Sequence, residues 1–74
     1  MIDYERLTNA VKDVLLEEHW DNYDLESIVR NASLCWDDTA VMVKSSDFEF
    51  IFDLISYDCR SVSTNDLIEE KEVL

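Results

Sequence analysis

His19 is the one histidine of the chain, and Glu17, Glu18 and Asp21 stand beside it. Imidazole and carboxylate are metal-ligand types, but a zinc site needs several Cys or His at fixed spacing, and the sequence supplies none. A solvated histidine at a helix end accounts for the same residues. Residues Asp21 to Glu26 (DNYDLE) offer oxygen donors. A calcium loop needs them at alternating offsets around a sharp glycine turn, and here the offsets differ and the chain has no Gly. Cys35 or Cys59 with His19 would make a thiol and a base, the pair that nucleophilic catalysis requires. No flanking motif supports that pairing. The chain is therefore read as a non-enzyme, with no catalytic residue, no cofactor and no metal.

The residues left to do chemistry are the carboxylates. Asp and Glu number 18 against 6 Lys and Arg, a formal net charge of -12 in 74 residues. Nucleic-acid affinity comes mainly from Lys and Arg, so direct nucleic-acid binding is excluded, as are glycine-cradled phosphates. An anionic membrane surface would repel the chain, and no apolar run approaches the ~20 residues of a membrane span. The charge exceeds the roughly 2–8 units that keep a small domain soluble. Nine acids fall in residues 1–37 and nine in 38–74, so they form no tail. With 47% hydrophobic and 11% aromatic residues the chain has material for a core, unlike a disordered acidic chain.

Asp47, Glu49 and Asp53 fall on the outer face of one strand, where alternate side chains lie about 6.6–6.8 Å apart. Helical spacing gives Asp13 and Glu17 a similar separation. Arg and Lys recognise carboxylate as they do phosphate, so such rows suit a basic partner. A solvated face kept for solubility is the plainer explanation of the strand row. Trp20, Tyr23, Trp36 and Tyr57 sit near the ends of expected elements, where aromatics either cap a small core or anchor an interface.

These side chains require a scaffold. Tyr4, Leu7, Val11, Val14 and Leu15 recur at helical spacing, which predicts a helix from Asp3, its N-cap, to about Glu18. Glu18 projects into the apolar stripe, and fraying there resolves the conflict. Asp21-Asn22-Tyr23 connects to a short helix capped by Asp24 and running to about Arg30, with Tyr23 and Ile28 at staple positions. Asn31 is placed to take the left-handed conformation that ends it. The period then changes to two. Ser33–Trp36 is a weak strand, Asp37-Asp38 a turn, Thr39–Lys44 a strand and Ser45-Ser46-Asp47 a turn. Phe48 to about Ser56 is the clearest strand, with Phe48, Phe50, Phe52 and Leu54 on its inner face. Tyr57–Val62 fits more than one conformation, and Ser63 caps a last helix over Thr64 to about Val73. The expected fold is one α+β domain, residues 1–74. Two helices pack on an antiparallel sheet of two to three strands, followed by a short C-terminal helix.

Two cysteines make no disulfide framework and suit reduced thiols in the cytoplasm, although a Cys35–Cys59 bridge stays open. The segment MIDYERL is mixed in charge with no apolar run behind it, which points to no secretory signal.

In size, acidity and scarcity of cysteine, the whole chain resembles the small acidic inhibitors of host-defence nucleases encoded by phages and mobile elements, the anti-CRISPR and anti-restriction proteins. The resemblance rests on composition and size and carries no sequence motif. It implies a cytoplasmic inhibitor, in the host cell if phage-encoded, that docks on a basic, nucleic-acid-binding surface and can act as a nucleic-acid mimic. The expected contacts are Asp13, Glu17, Asp21, Asp24, Asp47, Glu49 and Asp53, with Trp20 and Tyr23 as anchors. Two other readings fit the charge: an immunity protein or antitoxin for a basic toxin, and a homo-oligomeric module, such as a homodimer, whose acidity serves solubility.

Overall fold

In a computed structural model, residues 2–63 are described. Asp3 caps helix α1 (Tyr4–Val14), its carboxylate accepting the Arg6 amide at 3.2 Å. Leu7, Ala10 and Val11 form the buried stripe. The helix stops at Val14, four residues before the expected end. Leu15 turns extended (φ -81, ψ 131) and buries its own side chain almost completely. Burial of that leucine outweighs another helical turn, which would have carried Glu18 toward the core. The Trp20 indole N–H donates to the Leu15 carbonyl at 2.8 Å, satisfying a group the helix leaves free. A 3-10 helix, Glu17–Asn22, follows. Asp13 and Glu17 thus do not share a helix.

Asp24 caps α2 (Leu25–Arg30) through the Ser27 amide at 3.2 Å, and Leu25 and Val29 face inward. Asn31 is not left-handed (φ -95, ψ 10). Its side-chain amide donates to the Ser27 carbonyl at 2.9 Å instead, which ends the helix by a different route.

The sheet has four strands in the order β1 (Ser33–Cys35), β2 (Ala40–Lys44), β3 (Glu49–Asp53), β4 (Cys59–Val62), all antiparallel to their neighbours. The expected two to three strands become four because the segment left undecided, Tyr57–Val62, supplies β4. Its pairing with β3 is bulged: Ile51 faces Ser61 and Phe52 faces Cys59, leaving Arg60 as the extra residue. The expected C-terminal helix over residues 64–73 lies outside the described residues.

One sheet face meets the helices. Val41 stands opposite Phe52 and Val43 opposite Phe50, and these four join Leu7, Val11, Leu15, Leu25, Val29 and Phe48 in one core. The three phenylalanines alternate along one strand face, Phe48 and Phe50 stacked at 4.5 Å and Phe50 edge-on to Phe52 at 6.1 Å. No polar or charged residue is buried among the described residues.

Tyr57 closes the fold from the far side of the sequence. Its hydroxyl accepts the Asp3 amide at 2.9 Å, and the Arg6 guanidinium lies 4.6 Å above its ring. Among the described residues four take left-handed backbone: Trp36 (φ 54), Asp37 (φ 58), Asp38 (φ 68) and Tyr57 (φ 61). In a chain without glycine each conformation costs about 1–2 kcal/mol, less for Asp, whose side chain tolerates it. Asp38→Gly should therefore raise stability by about 0.5 kcal/mol, relief of strain exceeding the added chain entropy. Urea denaturation measures this, and a loss of stability would contradict a left-handed Asp38.

Candidate protein-binding surface

Residues 2–63 contain fourteen Asp and Glu against five Lys and Arg, and twelve of the fourteen acids are exposed. Few are neutralised. Among the described residues the ion pairs are Arg30–Glu26 at 3.5 Å and the His19–Glu18 contact at 3.4 Å, which is ionic only when the imidazole is protonated. Two of the described cations are directed elsewhere. Arg6 lies on the Tyr57 ring and donates to the Ser56 carbonyl at 3.3 Å, and Lys12 lies 5.3 Å from the Trp20 ring. The carboxylates are therefore left facing solvent with their field uncancelled.

Seven of the nine residues expected from the sequence belong to the helical layer and the turn beside it. Asp13 is exposed on α1. Residues 17–26 hold Glu17, Glu18, Asp21, Asp24 and Glu26, all exposed. In a 3-10 helix residues three apart eclipse, so Glu18 and Asp21 stack on one edge about 6 Å apart. Tyr23 donates to Asp47 Oδ2 at 2.8 Å and packs edge-on against Phe48 at 5.3 Å. That bond ties the β2–β3 turn to the segment between the two helices, so Asp47 joins Asp21 and Asp24. The bond to Asp47, then burial, then the charge of Asp47 raise the Tyr23 hydroxyl pKa above 10.0. Trp20 and Tyr23 are both half-buried, and both position neighbours by hydrogen bonds.

Glu49 and Asp53 are separated from this group. They project from the sheet face opposite the phenylalanines, together with Ile51, and both are half-buried. Lys44 stands opposite Glu49. Asp53 Oδ1 accepts the amides of Ile55 at 2.8 Å and Ser56 at 3.1 Å, which explains why β3 ends at Asp53 and not at Ser56.

At the opposite end of the sheet the sequence marks Trp36 and Tyr57, as aromatics that cap a core or anchor an interface. There the turn after β1 exposes Trp36, Asp37 and Asp38, and the turn after β3 exposes Ile55 and Asp58. Asp53 with Ser56 was the available signal for that second turn, but the alternation of Phe48–Ile55 outweighed it.

Cys35 and Cys59 are free, on the two outer strands of the sheet. Three strand spacings of about 4.8 Å separate them, beyond the ~7 Å a disulfide spans. Burial raises both thiols above their ordinary pKa, and the Glu49 charge adds to the effect at Cys35, so neither is an activated nucleophile. No group of three or more His, Cys, Asp and Glu among the described residues is placed to hold a metal. A shallow groove of about 450 Å³ between the helices has Leu25 and Val29 in its lining beside Tyr4, Lys12, Glu26 and Arg30. Among the described residues no helix is long and apolar enough to cross a membrane. No known protein family matches the chain, and no curated protein or solved structure matches it.

The amides of Ser56 and Ile55 hold the Asp53 carboxyl below its ordinary value of 3.8. A lowered folded-state pKa stabilises the fold above the unfolded value, and this is lost as pH falls through the folded one. Asp53→Asn should lose less stability than the parent on acidification below about pH 4, read by urea titration across that range. Equal acid sensitivity in the two proteins would contradict the capping role.

Proposed function

We propose that the chain is a stoichiometric inhibitor that docks its acidic surface on the basic, nucleic-acid-binding surface of a target such as a host-defence nuclease or CRISPR effector. It competes with nucleic acid for that surface, in the manner of the anti-CRISPR and anti-restriction proteins it resembles in size and composition. The observation that supports this is the exposed carboxylates of residues 17–26, of which Glu17, Asp21 and Asp24 have no ion-pair partner among the described residues, joined by Asp47 through the Tyr23 bond. Solubility alone does not require two of the five described cations to be held over aromatic rings while the acids face outward.

The mechanism needs no chemistry beyond electrostatics and exclusion. Carboxylates stacked about 6 Å apart on a short helix meet Arg and Lys spaced to receive phosphates. The negative field speeds the encounter. Once bound, the body of the domain blocks the groove to a nucleic-acid backbone. A second reading has a specific observation behind it. No described element covers the outer sheet face, where Met42 stands opposite Ile51, and a second copy could cover it, as in a homo-oligomeric module.

Competition assays with purified nucleases and RNA-guided effectors, with their nucleic acid as competitor, test the first reading. Inhibitor affinity should fall steeply as salt rises. Glu17→Lys with Asp21→Lys should weaken it roughly tenfold at low salt. Affinity indifferent to salt and to both charge reversals would sink the proposal, and a tight dimer that ignores every basic partner would favour the homo-oligomer.

A further inference from the structure

The strongest unexplained feature lies at the sheet end away from the Tyr23–Asp47 bond. The β1–β2 turn (Trp36–Thr39) and the β3–β4 turn (Leu54–Asp58) emerge there side by side, because Ala40 pairs with Asp53 and the Leu54 amide extends that ladder to the Thr39 carbonyl at 3.1 Å. Each turn exposes one large apolar side chain: Trp36 is 51% exposed and Ile55 84%. Each also carries left-handed non-glycine residues, Trp36, Asp37 and Asp38 in the first and Tyr57 in the second.

Neither side chain joins the hydrophobic core. A tryptophan with positive φ is a backbone outlier, and burial of its ring does not offset the strain, since half of the residue faces solvent. Tyr57 gives the contrast, for its left-handed backbone sets a ring that is buried and bonded to the Asp3 amide. Exposed carboxylates of Asp37, Asp38 and Asp58 surround the pair. The nearby Arg6 is engaged with Tyr57 and the Ser56 carbonyl.

We propose that Trp36 and Ile55 form a two-pronged anchor for a protein partner that offers an apolar pocket flanked by Arg or Lys. An aromatic and an aliphatic prong at the centre with a polar rim is the anatomy of an interface hot spot, and the arginines that pair with Asp37 and Asp38 can also stack on the indole. Charge selects this occupant over the others. A second copy docked symmetrically would bring like carboxylates against one another, and nucleic acid or an anionic lipid surface would be repelled. The inference rests on the reading of the chain as a ligand of basic proteins, and it adds the source of selectivity among them, since carboxylates alone would recognise any basic surface.

Two synthetic arginine peptides of equal charge serve as probes, one with interleaved leucines and one with glycines in their place. Their binding to the full chain is measured by NMR titration at low and moderate salt, following the Trp36 indole and Ile55 methyl signals. The variant is Trp36→Asn with Ile55→Ser; Asn tolerates the left-handed backbone, and both replaced side chains are exposed, so the fold is retained and is checked by its amide spectrum. The leucine peptide should bind at least tenfold more tightly than the glycine peptide and shift both signals. The variant should lose that advantage while binding the glycine peptide unchanged. Equal binding of the two peptides to the parent chain, or a leucine advantage that survives both substitutions, overturns the anchor and leaves the wider reading intact. If neither peptide binds at low salt, both readings fall. Concentration-dependent dimerisation abolished by the double variant overturns the basic partner in favour of a second copy.

Discussion

A chain of net charge -12 must hold itself together against its own field. A small domain gains modestly from burial, and here the attraction comes from one core centred on Val41, Val43, Phe50 and Phe52, with Leu7, Val11, Leu15, Leu25 and Val29 packed against them. Repulsion between carboxylates is limited by spreading them over the exterior and leaving none buried among the described residues. Some also act locally, where the charge is useful. Asp3 and Asp24 cap the two α-helices and Asp53 caps a turn, which places anions at backbone N–H groups that favour them. The same constraint decides where α1 ends, because one more turn would have driven Glu18 toward the apolar layer, whereas the extended Leu15 brings in a leucine.

The two ends of the sheet then acquire different characters. At one end the β2–β3 turn is tied by Tyr23 to the acid-rich segment of the helical layer, a surface with long-range field and little apolar content. At the other, the paired turns raise Trp36 and Ile55 among fewer acids. Five-residue strands separate the ends by about 17 Å, within the reach of the one basic partner proposed. On the proposed reading, field at one end and apolar contact at the other divide rate of encounter from selectivity, two quantities that different interactions control.

Much of the scaffold was legible in the sequence, because local chemistry and tertiary packing agree there. The stripe from Leu7 to Leu15, the caps at Asp3 and Asp24, the turn at Ser45–Asp47 and the phenylalanine face all follow from spacing. The misreadings occur where a non-local partner decides. Leu15 leaves the helix for the core, and Cys59–Val62 becomes a strand only because β3 offers an edge. Asn31 offers a left-handed stop in a chain without glycine, yet its side chain ends the helix by a direct bond to the Ser27 carbonyl. The left-handed positions went to Trp36, Asp37, Asp38 and Tyr57, of which only the two aspartates announce such a turn. The candidate surface was legible as charge and not as place. Composition pointed to the carboxylates, but only the fold separates Glu49 and Asp53 from the others and exposes Trp36 in preference to Trp20.

The uncancelled carboxylate field opposes folding and carries the proposed binding surface, and thermal unfolding against ionic strength measures that field directly. Between roughly 10 mM and 0.5 M sodium chloride the screening length shortens from about 30 Å to a few ångströms. Self-repulsion of the folded state is then relieved more than that of the expanded unfolded chain, and the midpoint should rise by several degrees. A midpoint that stays constant or falls would mean the carboxylates are already compensated, which would contradict the account of this surface as a displayed negative field.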